Sequence, residues 1–413
     1  MGRRRGGQRW TGPGLLAAGL LAYIGLPYLL VQRLGLGTVR QGRPSGERVA
    51  LTFDDGPDPQ HTPAVLDALK AADMRATFFL LSGAARRHPE LVRRIQAEGH
   101  EIGVHAARHR HAWVRPPWEA YHDPVQARRD LERLSGTPVR WGRPPHGAYS
   151  LANLLGLRRA GLTPVQWSIE GGDWERGAAP QGVKGRVLRE LHGGAVIVLH
   201  DSGPGAQVTP AALPGLLRGL AERGFYSVTL SELDAAPVTR QHLPARLMAG
   251  LDRRLDRWLG IRPALGRQGG LFRLQPLGFP LGGLRWPDGT PIPRGTPALE
   301  FHVNNPLLVD LGLRRFPPRA RREFGWVAQD WRGRPELEQA EFIYCLSVHG
   351  PVLERLGFLS VPLAPHDQKR LKLWSDLMHR AYGTQPRKAQ PVLSIMSRDE
   401  FLNRFGRTVT EPG

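Results

Sequence analysis

The chain has 413 residues, enough for one large domain plus a smaller one, and its composition supports folding rather than disorder. Its 57 Lys and Arg against 37 Asp and Glu give a formal charge of +20, a balance that suits acidic headgroups or anionic polymers. No nucleic-acid fold signature accompanies that charge, so no nucleic-acid partner is expected. The single cysteine, Cys345, excludes an intramolecular disulfide, and within Phe342 to Leu346 it reads as a small buried hydrophobe.

At the amino end, Arg3, Arg4, Arg5 and Arg9 precede an uncharged run from Gly14 to Val31 that Gln32-Arg33 closes. As a helix, Leu15 to Val31 would span roughly 25 Å, against about 30 Å for a hydrocarbon core. No small-x-small cleavage site follows, so residues 14–32 are expected to form an uncleaved transmembrane signal anchor rather than a removed signal. Residues 1–13 would then be a basic cytoplasmic segment, with everything beyond residue 33 extracytoplasmic. The Gly- and Arg-rich stretch 33–46 reads as a linker.

From Glu47 onward, strand-like and helix-like segments alternate. Strands are expected over 48–53, 76–81, 101–104, 138–141, 164–168, 195–199 and 226–230. Helices are expected over 62–70, around Leu91, Val92 and Ile95, and over 124–134, 151–160, 183–191 and 210–223; Thr62-Pro63 supplies a cap with proline at the first position. Repetition of strand and helix argues for parallel strands covered by helices, and some 190 residues suit a (β/α)-type barrel. The first domain of this α/β architecture is placed at 47–235, and in barrels of this kind chemistry collects on the loops after the strands. Residues 236–295, rich in Gly and Pro, read as a linker and the start of an accessory region. A smaller α+β domain at 296–413 opens with the strand Ala298 to Val303. Helical stretches follow over 335–348 and 366–382, and Ser397-Arg-Asp-Glu400 is a capping-box start to a short helix.

Asp54 and Asp55 end the apolar run Leu51-Thr-Phe53, and Gly56-Pro57 turns the chain there, which sets the two acids on a rim. One carboxylate can hold a cation while its neighbour takes a proton from water. Fifty residues on, His105 and His109 are four apart, so one helical turn would put both on a face with an oxygen donor completing the set. The pair His109 and His111 is the alternative, less favoured because the Gly103-Val104 strand end positions His105. Arg143-Pro-Pro-His146 follows a strand: Arg143 is suited to orient a carboxylate by a bidentate pair, and a backbone amide of this loop to face an oxyanion. His200 ends the most buried strand and is placed to donate a proton to a leaving amine.

Those segments, with Trp167 to Trp174, resemble in order the five motifs of the polysaccharide deacetylases, the metal-dependent N-deacetylases of carbohydrate esterase family 4. The resemblance covers about Glu47 to Leu233. It implies a distorted (β/α)7-type barrel that removes acetyl groups from N-acetylglucosamine-type sugars of peptidoglycan, chitin or a related polymer. It implies Asp54 as general base, and Asp55, His105 and His109 as ligands of one divalent ion, zinc first and cobalt or manganese otherwise. Arg143 would steady Asp54, Asp173 would tune His200 as general acid, the His146 backbone would serve the oxyanion, and Trp174 and Leu199 would line the acetyl pocket. Three positions depart from the family pattern: Ala106 for Ser or Thr, His146 for Tyr, and Glu170 for Asp. Deacylation of a lipid-linked sugar and non-catalytic saccharide binding are the competing readings. A fainter resemblance, in Glu300-Phe-His-Val-Asn-Asn305, links the carboxyl-terminal region to a small domain of uncharacterised function found appended to some deacetylases.

Overall fold

The computed structural model describes residues 12–44, 46–239, 243–264, 269–381 and 389–406, and divides into two units, one reaching to residue 240 and the other comprising 189–192 and 241 onward. In the first unit, α1 (Gly12–Leu20) continues through wider helical turns to Arg33. Its stretch Leu16–Arg33 is long and apolar enough to cross a membrane. The carboxyl end packs on the first unit: Tyr28 meets Trp113 edge-on at 6.0 Å, and Gln32 accepts from the Tyr149 amide.

The first unit then alternates β1 (Arg48–Asp54), α2 (Thr62–Ala71), β2 (Ala76–Leu81), α3 (Ser82–Arg87), α4 (Pro89–Ala97), β3 (Glu101–Ala106) and α5 (Pro117–Ser135). Next come β4 (Trp141–Gly142), α6 (Leu151–Arg159), β5 (Thr163–Pro164), β6 (Ile169–Glu170), α7 (Pro180–Glu190), β7 (Val196–His200), α8 (Thr209–Ala221) and β8 (Tyr226–Ser227). Seven strands lie in the order β5-β4-β3-β2-β1-β7-β6, all pairs parallel, and β8 pairs with the start of β1. This curled parallel sheet is the expected barrel-like architecture. β1, inside the sheet between β2 and β7, is buried from Val49 to Asp54 because both faces are covered. Ala50, Thr52 and Asp54 share one face by the two-residue period, and the Ala50 side packs with Phe79, Trp141, Val165 and Val196.

Several shorter expectations change. The strand read at 138–141 forms only at Trp141–Gly142, and 164–168 is irregular between β5 and β6. The stretch 33–46 is no loose linker. Val39 is fully buried and pairs with Val165 beside β5, while Gln41 pairs with Ala195 ahead of β7. Its glycines permit tight turns, Gly35 and Gly37 having positive φ, so a composition that looked flexible lines the sheet instead.

The second unit begins earlier than residue 296. It contains α9 (Leu243–Leu259), β9 (Arg262–Pro263), β10 (Phe272–Gly278), the hairpin β11 (Leu284–Arg285) and β12 (Pro291–Ile292), and β13 (Pro297–Val303). Then follow α10 (Asn305–Gly333), α11 (Pro335–Glu338), β14 (Phe342–Ser347), α12 (Gly350–Glu354), β15 (Leu359–Pro362), α13 (Pro365–Ala381), β16 (Val392–Ser397) and α14 (Arg398–Phe405). Gly and Pro in 272–295 serve strand ends and the Asp288-Gly289 turn, which hid β10 from a compositional reading. Residues 342–347, expected helical, are a strand. Phe342 and Tyr344 enter one apolar layer and Ile343 and Cys345 the other, and a run buried on both faces carries no period that separates strand from helix. α10, whose Pro317-Pro318 and Gly312 interrupt any helical pattern in the sequence, is kinked at Gly312, where φ is +64°. The end of the helix read at 366–382, Tyr382, lies outside the described residues. Ser397 caps α14 by accepting from the Glu400 amide.

Candidate active site

The carboxyl ends of β1, β3 and β7 gather the chemistry. Asp54 pairs in register with His200 across β1 and β7, so two neighbouring strands present an acid and an imidazole side by side. Asp54 is buried, and its Oδ1 accepts from Arg143 Nη1 at 2.7 Å. Arg143, with no exposed surface, also donates to Thr52 Oγ1 (2.8 Å) and the Gln166 carbonyl (3.2 Å), and its guanidinium lies over Phe79. The expected bidentate pair is absent: only Nη1 reaches Asp54, because the other arm is committed to Gln166.

Asp55 turns away from its neighbour by adopting φ of +79°, a left-handed conformation that aspartate tolerates better than most residues. Its Oδ1 lies 3.1 Å from His105 Nε2 and 3.2 Å from His109 Nε2. The two histidines do not share a helical turn. His105 ends β3 and His109 stands in the loop after it, which curls until the rings lie nearly parallel at 5.7 Å. Burial alone would raise the Asp55 pKa, but the His105 contact and the charges of His105, His109 and His200 hold it at about 2. Burial lowers the His109 pKa, which keeps this imidazole neutral as a ligand must be.

These three side chains fit a divalent ion. Asp55 Oδ1 is buried without a hydrogen-bond partner although two imidazole nitrogens stand about 3 Å away, so the lone pairs face a shared point rather than one another. Ligand atoms bound at about 2.0–2.1 Å in a tetrahedron are roughly 3.3 Å apart, close to the spacing seen. The three ligand atoms all lie within 4.8 Å of one another, the one such cluster among the described residues.

Opposite, His200 Nδ1 lies 3.0 Å from Asp173 Oδ1, and Asp173 Oδ2 accepts from the His200 amide (2.7 Å) and Thr209 Oγ1 (2.6 Å). Burial by itself would lower the His200 pKa; the hydrogen bond and charge of Asp173, with Asp54 and Asp55, raise it to about 9. The ring is therefore protonated at neutral pH. Trp174 presents a partly exposed ring whose edge meets His200 at 5.0 Å, whereas Leu199 is buried. His146 adopts φ of +60°, and its ring packs on His109 (4.6 Å) and on His111 (5.0 Å). Of the positions that depart from the family pattern, Ala106 is buried at the end of β3, and Glu170 accepts from Trp167 Nε1 (2.7 Å), whose ring flanks Arg143.

Several known proteins are similar to this chain. A family model described as polysaccharide deacetylase matches residues 41–165. A peptidoglycan-N-acetylglucosamine deacetylase of Bacillus cereus is 35% identical over 193 residues, 46% of this chain and 90% of that protein. The chain belongs to the polysaccharide deacetylase family. As a polysaccharide deacetylase it is a hydrolase of carbon–nitrogen bonds other than peptide bonds. A chitooligosaccharide deacetylase of Azorhizobium caulinodans is 35% identical over 191 residues, 43% of this chain and 90% of that one. A crystal structure of a peptidoglycan N-acetylglucosamine deacetylase, solved with a benzamide ligand, is 32% identical at a TM-score of 0.46, covering 50% of this chain and 95% of that one.

Asp201, Thr209 and Thr52 were missed as participants. Asp201 follows His200 and lies wholly buried beneath Gly56, whose Cβ, if present, would sit 2.4 Å from its Oδ2. Burial pushes the Asp201 pKa up to about 7, and Thr62 Oγ1 donates to it at 2.6 Å. Its place in the sequence, directly after the strand-end histidine, was the available signal. Nothing local marked Thr209, which lies 36 residues from Asp173.

Proposed function

We propose that the protein is a metal-dependent N-deacetylase of N-acetylglucosamine-type sugars in a wall polysaccharide of peptidoglycan or chitin-like chemistry, releasing acetate. The observation that carries this reading is the pairing of two proton-transfer groups on adjacent strand ends, Asp54 held by Arg143 and His200 held by Asp173, beside the Asp55, His105 and His109 cluster. Asp55, His105 and His109 would hold the ion, with zinc favoured by two imidazoles and one carboxylate and cobalt or manganese the alternatives. Such an ion polarises the acetyl carbonyl and acidifies water.

The residues divide the rest of the work. Asp54 accepts a proton from the attacking water, and Arg143 fixes the carboxylate oxygen that is not doing so. His200, kept protonated by the negative charge of Asp173, hands its proton to the departing sugar nitrogen, so that acetate and a free amine result. The His146 backbone amide serves the developing oxyanion, and Trp174 and Leu199 shape the acetyl pocket. The helix at Leu16–Arg33 favours attachment to a membrane with the barrel on the extracytoplasmic side, where wall polymer lies. Acetate release from chitin oligosaccharides and from peptidoglycan, compared with Asp54→Asn, tests the reading; no metal-dependent release from either would overturn it.

A further inference from the structure

The carboxyl end of the apolar helix is tied to the active-site end of the barrel. Trp113 stands in the loop after β3 and Tyr149 in the loop after β4, the two loops that also carry His109 and His146. Tyr28 meets Trp113 edge-on at 6.0 Å, Trp113 Nε1 donates to the Tyr149 carbonyl at 3.1 Å, and the Tyr149 amide donates to Gln32 at 3.3 Å. From Trp113 the rings continue to His111 (4.9 Å), from His111 to His146 (5.0 Å) and from His146 to His109 (4.6 Å). A short run of touching rings thus joins Tyr28 to the ion cluster. The Arg33 guanidinium lies over Tyr28 at 5.5 Å, an aromatic and a cation together at the end of an apolar span, as at a membrane–water boundary.

Exposed apolar side chains crowd the same end. Beyond the helix, the large ones among the described residues of the first unit are Val114, Trp118, Leu151, Leu155, Trp174 and Tyr226. All but Tyr226 follow the carboxyl ends of strands: Val114 in the loop after β3, Trp118 in the first turn of α5, Leu151 and Leu155 at the start of α6, and Trp174 in the loop after β6. Val114 and Trp118 are 75% and 67% exposed, so packing inside the domain does not explain their being apolar. α6 also packs against the helical turn Leu21–Gly25. Its exposed stripe reads Leu151, Leu155, Arg158, Arg159, at spacings that keep all four on one face, so apolar surface gives way to positive charge about 10 Å along the axis. Apolar first and arginine next is the order in which a docked surface meets acyl chains and then anionic headgroups.

We propose that the active-site rim is a membrane-docking surface: Val114, Trp118, Leu151 and Leu155 enter the interface of an anionic bilayer beside the helix, and the cleft opens onto the headgroup layer. Its substrate class is then an N-acetylated sugar carried by a lipid rather than free polymer. That substrate assignment rests on the deacetylase reading; the docking does not. A polarity-sensitive dye on Trp118→Cys, in the full chain reconstituted into vesicles containing phosphatidylglycerol, tests the docking, and Cys345, being buried, leaves the introduced thiol as the reactive one. Doxyl-labelled lipid should quench this dye but not one on Glu222→Cys, exposed just past α8. Quenching at both positions or at neither overturns the proposal. Shielding of the Trp118→Cys dye in vesicle-free protein as its concentration rises would assign the rim to a second copy and overturn it too. For the substrate, a lipid-linked N-acetylglucosamine in the same vesicles is compared with soluble chitotriose. Trp118→Ser should lower kcat/KM about tenfold on the first and leave the second unchanged, the unchanged rate also reporting an intact fold; equal effects on both overturn the substrate class. Absence of turnover on both sugars by the unaltered protein counts against the deacetylase reading, and the quenching still decides the docking.

Discussion

Replacing Asp173 by Asn tests the electrostatic half of the site. In the native arrangement the His200 pKa of about 9, against 6.5 for a free imidazole, corresponds to roughly 3 kcal/mol in favour of the charged ring. Asn keeps the shape but removes the charge that opposes burial, so the pKa should fall to 6.5 or below. At pH 7.5 the protonated fraction would drop from about 97% to about 9% or less, a loss of about tenfold in competent acid before any change in orientation. The sign is fixed: a raised imidazole contributes stability that is fully present below its unfolded pKa of about 6.5 and is lost as pH rises through about 9. NMR titration of the His200 ring in metal-free protein reads the pKa without a neighbouring cation, and the alkaline limb of kcat/KM in the loaded enzyme should move to lower pH. A His200 titration unmoved by Asp173→Asn would refute the reasoning.

Other consequences follow from neighbouring contacts. Asp54→Asn should remove turnover while leaving metal content intact, whereas His105→Ala should lower metal content measured by elemental analysis; equal metal loss in both would contradict the division of roles. Gly56→Ala would set a methyl 2.4 Å from Asp201 Oδ2 and displace the Asp55 loop, costing on the order of 10²-fold in kcat/KM; unchanged kinetics would show that the loop has room. Thr209→Val deletes the buried donor to Asp173 Oδ2 and should cost about 1–3 kcal/mol in urea unfolding, and a change within experimental error would mean that the carboxylate is satisfied without it.

What the sequence made legible follows the physics of each signal. A short apolar run that ends in Asp-Asp-Gly-Pro states both a buried strand and its exit, so Asp54 and Asp55 stand at a strand end, as the pattern implied. The histidine spacing suggested a helix, yet the rings meet because a strand end and a loop bring them together, and spacing alone does not separate these geometries. Arg143 was legible as a carboxylate partner, but its single contact with Asp54 depends on Gln166, a residue 23 positions away. The second unit was least legible. Its sheet is assembled from Pro-rich edges and from β14, whose apolar residues divide between two layers, and only pairing partners distant in the chain identify such strands.

Acetate release from chitin oligosaccharides and peptidoglycan, measured before and after removal of bound metal, tests the central claim most directly. Chelation should abolish release, added zinc should restore it, and the Asp54→Asn protein should lack it even when fully metal-loaded. Release that persists after chelation, or in the loaded Asp54→Asn protein, would contradict it.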